Sequence, residues 1–257
     1  MKAVILAGGM GSRISEESHL RPKPMIEIGG RPILWHIMKI FSAQGVTDFV
    51  ICCGYKGNQI KEYFSHYALY HSDVTFDYRQ GERVEICRSQ AEPWRVTLVD
   101  TGLATQTGGR LKRIEKYVAA EPFFMTYGDG VADVDLEMVR NRHRESGAAV
   151  TMTLVQPEGR FGVAEVRDGF VTAFREKDQG DNGWINGGFM MVSPQALSLI
   201  DGDETIWERE PLEKLAAAGK LAAAFHRGFW MCMDTARDRN RLEEIWKEGA
   251  PWKIWRE

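Results

Sequence analysis

The sequence predicts an α/β fold: a mostly parallel sheet with helices on both faces and a few antiparallel strands inserted into it. Three observations predict it. Short runs such as Ala3 to Ala7 and Phe49 to Cys53 are continuously apolar, as strands buried on both faces are. Segments of helical pattern lie between such runs, and strand–helix alternation of this kind implies parallel strands joined by right-handed crossovers. Two stretches break that rhythm with short segments of their own, and the first of them alternates apolar and polar residues with period 2.

Each element follows in order. Lys2 to Leu6 reads as a buried strand. Arg31 to Ala43 reads as a helix, with Pro32 near its first position and Gly45 just past its end. Asp48 to Cys53 is a second buried strand, and Asn58 to Phe64 a short helix. In the first irregular stretch Val74, Phe76 and Tyr78 alternate with polar residues, as do Trp94, Val96 and Leu98. Both segments are expected to be antiparallel strands. Pro122 to Thr126 is a strand running into Tyr127-Gly128-Asp129-Gly130. Asp135 to Glu145 is helical and closed by Gly147, and Ala149 to Val155 is again a strand. From Phe161 to Val192 short strands are separated by turns such as Arg167-Asp168-Gly169. No repeat or Pro/Gly-rich linker divides the chain. The expectation is one domain over 1–257, with a β insertion at about 66–106 and a C-terminal part from about 155.

Composition narrows the function. A formal charge of -3 gives no basic footprint for nucleic acid or an anionic membrane. The apolar runs are too short to span a bilayer, and the first is too short for a secretion signal. Four cysteines occur, with no CxxC pair and no zinc spacing, so a reduced, cytoplasmic protein is expected. The six histidines fit surface or core positions better than catalytic ones. Tyr63, Phe64, Tyr67 and Tyr70, at roughly helical spacing, are expected in the core or at a subunit interface. Trp246, Trp252 and Trp255 load the C-terminal tail with aromatic surface, which should tie it down.

The first strand ends in Gly8-Gly9-Met10-Gly11, followed by Ser12 and Arg13. Glycines let backbone approach a ligand, and the N–H groups of such a turn make a nest for anions. A dinucleotide fingerprint starting at Gly9 and Gly11 would need a third glycine where Ile14 stands. No Gly-Lys-Ser/Thr follows for a P-loop either. A plain glycine-rich turn also fits. Arg13, with a planar fork suited to phosphate oxygens, favours a ligand. In Arg21-Pro22-Lys23-Pro24-Met25, prolines stiffen the backbone around Lys23, which is otherwise an ordinary surface lysine. Two placed cations and a nest of N–H groups suit a triphosphate.

The composite Leu6-Ala7-Gly8-Gly9-Met10-Gly11-Ser12-Arg13 with Pro22-Lys23-Pro24-Met25 resembles the signature of the sugar nucleotidyltransferases. Several further segments resemble the branch that transfers cytidylyl groups to glucose 1-phosphate. Among them are Cys53-Gly54-Tyr55-Lys56-Gly57, Trp94 to Gly102, Thr107-Gly108-Gly109-Arg110-Leu111, Tyr127-Gly128-Asp129-Gly130, Asn186-Gly187-Gly188-Phe189 and Met233-Asp234-Thr235. The likeness covers most of the chain. Ser12 stands where the family usually has threonine, and Met10 where leucine is common; the hydroxyl and the volume survive.

The resemblance implies a Rossmann-like mixed sheet and a reaction between CTP and glucose 1-phosphate. It implies Mg²⁺ held by Asp129 and Asp234, although Asp-Thr before a helix also reads as a cap. It implies nucleotide contacts from Leu6 to Arg13, from Lys23, from Thr107 to Arg110 and from Gly128. Arg13, Lys23 and Asp129 would carry catalysis, with Arg13 on the outer phosphates and Lys23 near the α-phosphate. Arg110 reads either as part of a base-reading loop or as a phosphate contact. Glu176, Lys177, Asn186 and Gly187 would hold the sugar phosphate. An exposed charged turn is the plain alternative for Lys177, and a hairpin turn for Asn186-Gly187. The inserted β region implies a homo-oligomer, by analogy a hexamer. Three rival readings stay open: a thymidylyl- or uridylyltransferase, a catalytically silent sugar-nucleotide sensor, and a dinucleotide oxidoreductase, which Ile14 opposes.

Overall fold

In a computed structural model of the chain, the described residues are 1–11, 19–79, 81, 83–156 and 183–255, with the backbone of 163–167 and 170–175. The N-terminal strand β1 (Lys2–Ala7) leads to a 3-10 turn at Lys23–Met25 and a small ribbon of β2 (Glu27–Ile28) and β3 (Arg31–Pro32). Helix α1 (Ile33–Ser42), β4 (Asp48–Cys53) and α2 (Gly57–Tyr70) follow. A hairpin of β5 (Ser72–Asp77) and β6 (Arg83–Ser89) precedes β7 (Arg95–Asp100). Two short helices, α3 (Thr107–Arg113) and α4 (Glu115–Val118), lead to β8 (Phe123–Tyr127) and β9 (Gly130–Ala132). Then come α5 (Leu136–Ser146), β10 (Val150–Val155), a hairpin of β11 (Val163–Arg167) and β12 (Phe170–Arg175), β13 (Ile185–Asn186) and β14 (Met190–Val192). The chain closes with α6 (Glu210–Ala217), β15 (Leu221–His226), β16 (Trp230–Cys232) and α7 (Ala236–Glu248).

Among the described residues eight strands form the main sheet. Strands β7, β4, β1 and β8 run parallel, then β14 runs antiparallel, and β10 and β15 return to the first direction. Strands β13 and β14 both pair with β10, with a shift of register between them at Gly187 to Phe189. The expected mixed, mostly parallel sheet is therefore the observed one. Alternate residues of its central strands feed two apolar layers. Ala3, Ile5, Phe49 and Ile51 face α1, α5 and the C-terminal tail. Val4, Leu6, Val50 and Cys52 face α3, α4, α6 and Trp207.

Three sequence expectations change. The helix expected over Arg31 to Ala43 starts two residues later, because Arg31 and Pro32 pair with β2 before Pro32 becomes the N-cap. Helix α2 runs on to Tyr70, because Tyr63, Phe64 and Tyr67 continue its buried face. The segment around Val96 and Leu98 is not antiparallel. It is β7, the parallel edge strand beside β4: Val96 and Leu98 pack toward one apolar layer and Val99 toward the other, and as a partly covered edge strand it admits polar Arg95 and Thr97 between its apolar residues. The pairing of Val74 and Phe76 in an antiparallel hairpin stands.

Candidate active site

The chain passes from β1 to β4 and β7 on one side, then returns to β8 on the other side of β1. Crevices at such a switch point, beyond the carboxyl ends of the strands, are where open α/β sheets bind ligands. A cavity of about 370 Å³ opens there. Its lining includes Leu6 to Gly9 and Gly11 after β1, and Tyr127, Gly128 and Asp129 after β8.

The glycine loop has a built geometry. A Cβ on Gly8 would lie 2.1 Å from Nη1 of Arg110, so only glycine fits beneath that guanidinium. Gly9 has nothing within 4 Å of its Cβ position, which leaves its face open to a ligand. Gly11 takes a left-handed φ of 63°. Arg110 is buried and spends its fork on the protein. It donates to Thr101 Oγ1 at 2.7 Å and to the carbonyls of Gly102 at 2.8 Å, Gly8 at 3.1 Å and Cys53 at 3.3 Å. It borders the cavity, yet its bonds gather the ends of β1, β4 and β7 and keep a positive charge under the loop.

At the other end of the cavity Lys23 Nζ donates to Asp129 Oδ2 at 2.6 Å and to Asp234 Oδ1 at 2.7 Å. The pairing of β9 with β16 explains the meeting. Cys232 lies opposite Gly130, so the chain leaving β16 passes the residue before β9, and Met233 N–H donates to Asp129 O at 2.8 Å. The cap of α7 is Thr235, closed by Asp238 in a reciprocal box, so capping does not occupy the Asp234 carboxylate. Burial alone would lower the Lys23 pKa; the two carboxylates, Asp129 first, outweigh it and hold the ammonium above its ordinary value.

Thr107 borders the cavity, whereas Gly108 and Gly109 face the backbone of 203–205. Met10 is exposed and does not line the cavity. Asn186 and Gly187 stand behind it: Asn186 Nδ2 donates to Tyr127 OH at 3.0 Å, and Trp230 Nε1 to Gly187 O at 2.8 Å. Burial and the Glu208 carboxylate push the Tyr127 phenol upward, so it remains a donor. Ser12, Arg13, Glu176 and Lys177 lie outside the described residues. Sequence reasoning missed Thr105 and Gln106 in the lining, and it named Pro24 and Tyr127 only within motifs. It missed Glu208 altogether, which bonds Tyr127 and Thr107. Only the flanking motifs hinted at these neighbours.

Among the described residues no histidine lines the cavity. Burial pushes the Cys53 thiol up to about 11 and Cys232 up to about 12, so neither is a nucleophile near neutral pH. Among the described residues no helix is long and apolar enough to cross a membrane.

A mostly parallel sheet with a glycine loop and an acidic pair at its switch point defines a nucleotide-handling transferase. Residues 2–240 match the Nucleotidyl transferase family, and the chain belongs to it. It is an enzyme of that class. More particularly, it is 55% identical over 257 residues to the glucose-1-phosphate cytidylyltransferase of Salmonella typhimurium, covering 99% of this chain and 100% of that one. It is 43% identical to a probable glucose-1-phosphate cytidylyltransferase of Bacillus subtilis, again over 99% and 100% of the two chains. Among solved structures, HddC from Yersinia pseudotuberculosis superposes with a TM-score of 0.69 at 22% identity, covering 95% of this chain and 99% of that one, a likeness of fold.

Proposed function

We propose that the protein transfers a cytidylyl group from CTP to α-D-glucose 1-phosphate, giving CDP-glucose and pyrophosphate. The observation that carries it is Lys23 bridging Asp129 and Asp234 in the cavity that the glycine loop also lines. The choice of CTP and glucose 1-phosphate follows the full-length relatives, whose names give glucose 1-phosphate as the acceptor and cytidylyl as the group transferred.

The chemistry asks little of acid–base groups. A sugar-phosphate oxygen, already anionic, attacks the α-phosphorus as pyrophosphate leaves, so no protein base is needed. What the protein must supply is alignment and charge neutralisation. The N–H groups of the loop from Gly8 to Gly11 are assigned to the phosphates. Ser12 and Arg13 follow that loop in sequence, and Arg13 is assigned to the outer phosphates. Glu176, Lys177, Asn186 and Gly187 are assigned to the sugar phosphate.

Asp129 and Asp234 are the candidate metal ligands. Both reach one ammonium, so they also converge closely enough for one small cation. Among the described residues no group of three or more His, Cys, Asp and Glu could hold a metal alone. Two carboxylates with phosphate and water oxygens suit Mg²⁺, which would neutralise phosphate charge when bound. Lys23 neutralises the pair meanwhile, and its ammonium is placed to turn to phosphate oxygens once they arrive.

We assign residues 1–257 to one catalytic domain acting in the cytoplasm, without nucleic-acid or membrane partners. The β5–β6 hairpin supports a homo-oligomer, by analogy a hexamer. A lone two-stranded hairpin is marginal in water, yet Phe76, Val84 and Ile86 stand about half exposed on this one. The test of the activity mixes the protein with Mg²⁺, glucose 1-phosphate and each nucleoside triphosphate in turn. Pyrophosphate release is expected to be fastest with CTP; equal or faster release with UTP or dTTP overturns the assignment.

A further inference from the structure

The segment before α6 carries none of the motifs that mark the site, yet it joins both walls of the cavity. On one side Thr107 Oγ1 donates to Glu208 Oε2 at 2.6 Å and accepts from the Trp207 N–H at 2.9 Å. On the other, Tyr127 OH donates to Glu208 Oε1 at 2.7 Å and accepts from Asn186 Nδ2 at 3.0 Å. Asn186 Oδ1 in turn accepts from the Gly188 N–H at 2.9 Å. Thr107 opens α3, whose Arg110 holds the Gly8 carbonyl at 3.1 Å. Asn186 ends β13 where the strand shifts register. One carboxylate therefore links the glycine-loop wall to the wall in front of Asn186.

The link is anchored. Trp207 is fully buried. Gln106 N–H donates to Asp203 O at 2.8 Å, and Gly109 N–H to Thr205 O at 3.2 Å. A Cβ on Gly108 would lie 2.6 Å from Thr205 O, and one on Gly109 2.5 Å from Asp203 O. The glycines of the 107–110 motif are thus explained by close docking of this segment. The chemistry of the link requires a carboxylate. Both hydroxyls donate, so two acceptor oxygens are needed, and glutamine has one.

We propose that Glu208 is a positioning residue for the transfer reaction. It fixes the spacing between the wall that holds the nucleotide and the wall that holds the sugar phosphate. The proposal rests on the reading of the cavity given above. In-line transfer depends on that spacing, and a misplacement of roughly 1 Å can cost on the order of 10²-fold in rate.

The test compares steady-state kinetics and thermal unfolding for the wild type, Glu208→Gln, Tyr127→Phe, the double variant, and Glu204→Gln as an exposed control on the same segment. Glu208→Gln is expected to lower kcat by roughly tenfold or more, a larger change than in either KM. Tyr127→Phe should do the same, and the double variant should lose no more than the worse single, since both cut one link. Glu204→Gln should keep the wild-type rate. A Glu208→Gln kcat within about twofold of the wild type would overturn the proposal, whether or not stability falls. So would losses that multiply in the double variant. A wild type inactive with every nucleoside triphosphate would defeat the cavity reading itself, and Glu208's role with it, before any substitution is compared.

Discussion

At the scale of the residue, the site turns on one lysine and two aspartates. Three charged groups meet at 2.6 and 2.7 Å, in a place where desolvation would oppose an unpaired charge. The sequence marked Lys23 and Asp129 through their flanking prolines and glycines, but nothing local said that Lys23 would lie between the carboxylates. That depends on the register of β9 against β16. Replacing Asp129 or Asp234 by asparagine removes a negative charge but keeps the shape. Each variant should lose on the order of 10²- to 10³-fold in kcat/KM, the size expected for one group that stabilises charge in the transition state. Circular dichroism should show an intact fold. Near-normal turnover in either variant would remove that residue from the metal site.

At the scale of the element, the glycine loop explains its own composition. Gly8 is fixed by Arg110 from below, and Gly9 is open from above. Gly8→Ala should therefore cost about 1–3 kcal/mol of stability, the range for overpacking a filled site. Gly9→Ala should leave stability within about 0.5 kcal/mol and act on the nucleotide KM instead. Urea unfolding together with CTP titration separates the two; equal destabilisation would contradict this geometry. Strands buried on both faces were plain in the sequence, since Ala3 to Ala7 and Phe49 to Cys53 are short continuous apolar runs, too short for a buried helix and each followed by glycine. Strand β7 was misread because a partly covered edge strand admits polar residues between its apolar ones and so carries the period-2 signal of an antiparallel strand. The docking of 203–208 on α3 was not legible, because part of it is backbone to backbone and its side-chain partners, Thr107 with Glu208 and Arg113 with Asp203, lie far apart in the chain.

At the scale of the whole molecule, the tail and the hairpin carry the tests. His36 Nε2 donates to Ile28 O at 2.8 Å, while Nδ1 accepts from Trp252 Nε1 at 3.4 Å. That pattern needs a neutral ring, and burial pushes His36 down to about 4. The unfolded chain takes up this proton at an ordinary histidine pKa. Stability from this site is therefore full above about pH 6.5 and falls as pH drops toward 4, by about 3 kcal/mol at most. His36→Gln should flatten that part of the pH profile of thermal unfolding; an unchanged slope would contradict it. The expected tethering of the tryptophan-rich tail thus has a definite partner. Assembly is tested by Phe76→Asp and Ile86→Asp, which should shift the protein to smaller species in sedimentation; an unchanged distribution would exclude the hairpin as the contact. The most direct test of the central claim is a competition. Glucose 1-phosphate and Mg²⁺ are incubated with equal amounts of CTP, UTP, dTTP, ATP and GTP, and the sugar nucleotides formed are read by mass spectrometry. CDP-glucose should dominate; dominance of any other sugar nucleotide, or none at all, would contradict the account.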